Sequence, residues 1–282
     1  MPAARALNAD LHCHSDRSDG TLAPAEVVRR AHANGVEMLA LTDHDELDGL
    51  EEAAAEARRL GLRFVPGVEI SVSWAGETVH VLGLGVDPGC EALVDGLART
   101  RSGRDGRARE MAAQLADVGI AGAYEGAARY VGNPELISRT HFARFLVERG
   151  HCRDVGDVFS RYLSEGRPGF VPHRWASLPE AVGWIRAAGG IAVLAHPGRY
   201  RLDRTALRAM IDEFAALGGQ GIEVVCGSHE PWQYEVFARH ARESSLMASR
   251  GSDFHGPQES RVDLGALPPL PADLVPVWSA WN

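Results

Sequence analysis

The chain has 282 residues and a formal net charge of −9, with 45% hydrophobic and 24% charged residues. That suits one globular α/β unit of barrel size, and no run of about 18 apolar residues is present to span a membrane. The acidity disfavours a partner such as duplex DNA, and all 29 basic residues are arginine, which excludes Schiff-base chemistry, a P-loop lysine and a metal-bridging carbamylated lysine on this chain.

The pattern opens with a strand over Asp10–His14. Residues two apart on a strand share a face, so His12 and His14 project together, and Asp19 can return from the following loop to the same place. A helix over Ala25–Asn34 is opened by Thr21 and Pro24 and closed by Gly35. The apolar strand Met38–Thr42 then ends in Asp43-His44-Asp45, which puts His44 at the C-terminal rim where barrel active sites sit. Asp43 and Asp45 read more readily as orienting acceptors or helix caps than as ligands, because a ligating histidine usually needs such a partner.

After a helix over Glu46–Leu60, the strand Arg63–Val68 delivers Glu69. Ser71–Trp74, Ala75-Gly76 and Glu77–His80 read as a hairpin whose two-residue turn sets Ser71 opposite His80, with Glu69 one diagonal step away. Glu69 and His80 can then reach a common ion. Thr78–Val86 continues as a strand.

From Arg101 to Pro172 the alternation stops. This arginine-rich stretch reads as helices over Arg107–Val118, Leu136–Arg149 and Val155–Leu163, which predicts a small helical domain at 101–172 inserted between barrel segments 1–100 and 173–282. The barrel resumes with Ile191–Ala195, which delivers His196-Pro197-Gly198-Arg199. Gly221–Val225 and Leu246–Gly251 follow, the last leading to Asp253 and His255 on one face. Seven strands alternating with helices predict an α/β fold, a distorted seven-stranded barrel in place of the regular eight.

One histidine at a strand end is ordinarily a partly buried rim residue. Nine such candidates are another matter: His12, His14, Asp19, His44, Glu69, His80, His196, Asp253 and His255. A catalytic zinc takes three protein ligands and a structural one four, so nine imply two ions or three. The absence of thiolates favours manganese, iron or zinc over copper. The four cysteines form no CxxC pair and no export signal is recognisable, so a reduced, cytoplasmic setting is expected.

These elements resemble, in order and over nearly the whole chain, the motifs of the PHP (polymerase and histidinol phosphatase) family of metal-dependent phosphoesterases. The resemblance implies a distorted seven-stranded barrel, two or three divalent ions with Mn2+ foremost, and the nine residues above as ligands, with Asp19, His44 and His196 also in catalytic roles. A narrower resemblance lies in Ile137–Arg144, Gly166–Val171, Trp175–Leu178 and Gly221–Glu223. These look like the bacterial 3′,5′-nucleotide bisphosphate phosphatases, a group overlapping with the 5′-to-3′ exoribonuclease known as ribonuclease AM. The implied substrate is a small nucleotide, extending to short 5′-phosphorylated RNA ends. Arg139, Arg167 and Arg199 would supply bidentate phosphate contacts, with His141 and His173 as further donors; Arg167 stands where relatives are expected to carry lysine. The rival readings are a phosphomonoesterase for another small substrate such as histidinol phosphate, a non-catalytic metal-stabilised module, and metal-assisted amide hydrolysis. The last is weakened by the missing lysine.

Overall fold

The computed structural model describes residues 7–281, so the predicted barrel segment is seen from Leu7 onward. Seven strands form one sheet in sequence order: β1 (Ala9–Asp10), β2 (Met38–Leu41), β3 (Arg63–Trp74), β4 (Glu77–Leu84), β5 (Ile191–Leu194), β6 (Gly221–Cys226) and β7 (Met247–Gly251). Pairing is parallel except on either side of β4, which runs antiparallel to β3 and to β5. The sheet curls until its ends meet: Leu11 N donates to Arg250 O, Asp253 N to His12 O and His14 N to Phe254 O. This is the distorted seven-stranded barrel that the alternation of elements predicts.

The helices are α1 (Pro24–Ala33), α2 (Leu50–Leu60), α3 (Glu91–Arg101), α4 (Arg104–Asp117), α5 (Ala123–Ala128), α6 (Arg139–Glu148), α7 (Val155–Val158), α8 (Leu178–Ala187), α9 (Arg204–Ala216) and α10 (Gln233–Glu243). Barrel helices lay their apolar stripes on the strands: Val27, Val28 and Ala31 of α1 and Ala53 and Ala57 of α2 are fully buried with Leu39 and Leu41 of β2. Helices α4 to α7 gather around a separate cluster containing Met111, Leu115, Phe142, Leu146 and Leu163. No described helix is long and apolar enough to cross a membrane.

Three local differences from the sequence reading have physical causes. The first strand is only two residues long, because beyond Asp10 the backbone bonds chiefly to the segment after β7. The second helix starts at Leu50 instead of Glu46, since Asp45 has φ 52° and the Glu46 carboxylate accepts from Leu47 N and Asp48 N in a turn. Helices α3 and α5 were not placed from the sequence, and their buried faces hold small or polar residues: Gly96 and Thr100 beside Leu93 and Leu97 in α3, and Ala123, Gly126 and Ala127 in α5.

The hairpin behaves as expected. Ser71 pairs with His80 and Trp74 with Glu77, leaving Ala75 and Gly76 as the turn at φ 48° and 87°. Two positive φ values are what a turn matching the strand twist requires, even with alanine at the first place.

Candidate metal centre

Every one of the nine predicted ligands arrives at the same end of the barrel. Their ligand atoms fall into four overlapping groups, each within 4.8 Å: His14, Asp19, His44 and His255; His12, His14 and Asp253; His12, Glu69 and His196; and His44, Glu69 and His80. Glu69, at the middle of β3, links them. Its Oε2 lies 3.0 Å from His44 Nδ1, 3.3 Å from His14 Nε2 and 3.4 Å from His12 Nε2. Its Oε1 lies 2.9 Å from both His80 Nδ1 and His196 Nε2. Asp253 Oδ1 stands 3.4 Å from His14 Nε2 and 3.5 Å from His12 Nε2, and Asp19 Oδ1 stands 3.3 Å from His255 Nε2.

This crowding fits divalent ions. Among the described residues, Asp19 Oδ1, Glu69 Oε2 and His44 Nδ1 are buried without a hydrogen-bond partner, a costly state unless a cation takes up their lone pairs. Burial opposes ionisation of Glu69, yet His44, His80 and His12 hold it well below the usual carboxylate range. Asp19 and Asp253 are likewise buried, and likewise held well below that range by the histidines around them. Burial pushes His196 down to about 4 against the pull of Glu69, so its ring is neutral, the form that binds a metal. Oxygen and imidazole donors gathered in this way suit divalent metal ions.

The backbone is bent to make the site. His196 (φ 24°) and Asp253 (φ 54°) both occupy the left-handed region that non-glycine residues avoid, as does neighbouring Asp45. Asp43 and Asp45 act as supports. Asp43 accepts from Ser15 N, Ser15 Oγ and Ser18 Oγ, while Asp45 accepts from Ser71 N and Ser71 Oγ and pairs with buried Arg104.

The ligands open onto a pocket of about 490 Å³ lined by Asp19, His44, His80, Asp253 and His255 on the barrel side. Arg104, Arg107, Arg139 and Phe159 of the helical segment, and Arg199 from the turn after β5, are also among its lining residues. Arg199 Nη1 reaches Asp253 Oδ2 at 3.2 Å. Trp175 lies under two guanidinium groups, with Arg104 at 4.5 Å and Arg107 at 5.4 Å from its ring centre. Arg107 and Arg139 donate to the carbonyls of Val171 and Leu163, and neither has a carboxylate partner among the described residues. Burial and the neighbouring arginines push Arg107 down to about 9 and Arg139 to about 10. The wall therefore holds more positive charge than its own acids neutralise.

The predicted phosphate contacts divide. Arg139 and Arg199 line the pocket, and His173 lines an adjoining cleft with its ring 4.2 Å from that of Trp175. Arg167 is exposed and absent from both walls. His141 is fully buried and lines neither wall, its Nδ1 accepting from Ser138 N at 3.0 Å to cap α6. Sequence reasoning missed Arg104 and Arg107, which look like solvated residues of a helix, and Glu223. The Glu223 carboxylate is buried behind the cage, bonded to His12 Nδ1 and His196 N.

An acid and imidazole cage at the strand ends of a seven-stranded barrel, facing a wall of arginines, defines a hydrolase acting on phosphate esters. The chain belongs to the PHP domain family, whose model matches residues 10–225. It is 54% identical over 271 residues to a Chromobacterium violaceum 3′,5′-nucleoside bisphosphate phosphatase, covering 96% of this chain and 95% of that protein. It is 42% identical over 270 residues to a Haemophilus influenzae 5′-3′ exoribonuclease, covering 95% of this chain and 97% of that one. A solved Chromobacterium violaceum structure, described as an amidohydrolase with bound sulfate and no metal, matches with a TM-score of 0.94 at 54% identity, covering 97% of this chain and 95% of its own.

Proposed function

We propose that this protein removes the 3′-phosphate from nucleoside 3′,5′-bisphosphates, with extension to short 5′-phosphorylated RNA, and that residues 101–172 form the inserted unit that selects the substrate. The observation that carries the proposal is the pair of pocket arginines without a carboxylate partner among the described residues, Arg107 and Arg139. A dianionic group placed there supplies the missing counter-charge, while the scissile phosphate lies against the metal ligands. The names of the two relatives support the same reading. A monophosphate such as histidinol phosphate would leave these two arginines unmatched.

His12, His14, Asp19, His44, Glu69, His80, His196, Asp253 and His255 would hold two or three divalent ions, with manganese favoured by the oxygen and imidazole donor set. When bound, such ions polarise a phosphoryl oxygen and lower the pKa of an attacking water. The rest is the work of the chain. Arg199, beside Asp253, binds an equatorial phosphate oxygen and shares its developing charge. Asp19 and His44 face the pocket and orient the attacking water, and His196 secures the cage from below. Arg107 and Arg139 bind the distal phosphate, and Phe159 closes the wall beside Arg139 at 5.5 Å. Fixing both ends of the substrate converts its binding energy into orientation of the reacting bond.

The test compares kcat/KM of the manganese-loaded protein on adenosine 3′,5′-bisphosphate and adenosine 3′-monophosphate. The proposal requires the bisphosphate to be preferred by at least tenfold, about 1.4 kcal/mol of distal-phosphate binding. Equal rates would contradict it.

A further inference from the structure

We propose that Glu223 is a positioning residue that sets two metal ligands at once, one just beyond β1 and one just beyond β5, an inference that rests on the metal-centre reading above. Its Oε1 lies 3.1 Å from His12 Nδ1 and its Oε2 lies 2.7 Å from the His196 backbone nitrogen. Both side chains of the His12–Glu223 pair are fully buried.

The two bonds do different things. A carboxylate only accepts, so a neutral, metal-binding His12 must carry its proton on Nδ1, which leaves the Nε2 lone pair on the side of Glu69 Oε2 at 3.4 Å and Asp253 Oδ1 at 3.5 Å. The second bond holds the amide of His196 at φ 24°, the conformation that aims its Nε2 at Glu69 Oε1, 2.9 Å away. Cys226 also lies near His12 and Glu223. However, both Glu223 oxygens are already engaged, so the carboxylate acts behind the ligands and not as one of them.

The surrounding strands are shaped for this. A bulge in β6 between Glu223 and Val225 re-aims the chain at that point. On β7, a Cβ at Gly251 would come within 2.3 Å of the His12 Cβ and 3.0 Å of Glu223 Oε1, so only glycine leaves room for the pair.

Two donors converge on this carboxylate, and an amide cannot serve both. In Glu223→Gln, either His12 is driven to the tautomer protonated at Nε2, which cannot bind an ion, or the His196 amide faces another N–H. The isosteric substitution should therefore weaken metal binding about ten- to hundredfold, although shape is preserved. Glu223→Asp keeps two acceptor oxygens and should retain more metal than Glu223→Gln.

Metal per chain is measured by elemental analysis after dialysis against graded chelator, and the His12 tautomer is read from imidazole 15N shifts of the zinc-loaded protein. The expected results are His12 protonated at Nδ1 in the wild type, partial loss of metal in E223Q, and recovery of its turnover in excess metal with KM unchanged. Wild-type metal affinity in E223Q would overturn the proposal. So would a wild-type His12 protonated at Nε2, a reading that needs no variant to fold. A wild type that takes up no metal would instead overturn the metal-centre reading itself.

Discussion

The hydroxyl of Thr140, the second residue of α6, donates a 2.9 Å hydrogen bond to Asp19 Oδ2, so a helix outside the barrel holds one of the acids of the metal cage. Arg144, one turn on, reaches the backbone carbonyl of Asp19 and pairs with Glu259 at 2.7 Å. Thr140→Val keeps the shape and removes the donor. We expect kcat/KM to fall about tenfold, the scale of a lost hydrogen bond to a charged acceptor, with the folded structure retained. A steady-state assay at saturating metal checks this, and an unchanged value would uncouple α6 from the site.

Arg104 and Asp45 form a second link between the helical segment and the barrel, with side chains 5% and 0% exposed. Removing one partner leaves a buried charge unpaired. Arg104→Met should cost about 3 kcal/mol, and adding Asp45→Asn should cost less than the sum of the two single changes. Urea unfolding of the four species in the cycle measures the coupling.

Arg107 and Arg139 should separate binding from chemistry. In Arg139→Met, KM for a 3′,5′-bisphosphate should rise at least tenfold while turnover of a 3′-monophosphate changes by less than about twofold. Loss of both activities together would assign the arginine to the reacting phosphate instead.

His141 predicts an acid-side loss of stability. Burial pushes its ring down to about 4, with Asp19 opposing and Arg144 adding to the effect. Its unfolded value is about 6.5. Between these values the unfolded chain binds the proton and the folded chain does not, so stability is complete above about 6.5 and falls as pH drops toward 4, by on the order of 1.4 kcal/mol per pH unit. His141→Gln preserves the capping pattern with Ser138 and removes the titration. Denaturation of the metal-free proteins at pH 7 and pH 5 should show a smaller acid loss in the variant.

Most of the cage was legible because its members stand where apolar strands end, and a polar residue at that point has only the barrel mouth to face; Glu69 and His80 lie within β3 and β4 instead. A period of two pairs His12 with His14 and Asp253 with His255, although both pairs lie beyond the ends of β1 and β7 and Asp253 has φ 54°; the Ser71–His80 pairing follows from a two-residue turn. Glu223 was not legible as a site residue. It sits inside a strand, where a buried acid has no sequence signature until its partners just beyond β1 and β5, His12 and His196, are brought to it. Arg104 and Arg107 were hidden for the opposite reason, since arginines on a helix usually face water and only the packing of α4 over Trp175 turns these inward. His141, expected as a phosphate donor, accepts from Ser138 N through its Nδ1, a capping contact that its sequence context does not announce.

The most direct test of the central claim is the identity of the products when the metal-loaded protein acts on adenosine 3′,5′-bisphosphate. The account predicts one equivalent each of inorganic phosphate and adenosine 5′-monophosphate, formed much faster than phosphate from a generic aryl phosphate. Release of the 5′-phosphate, or turnover no faster than on the aryl ester, would contradict it.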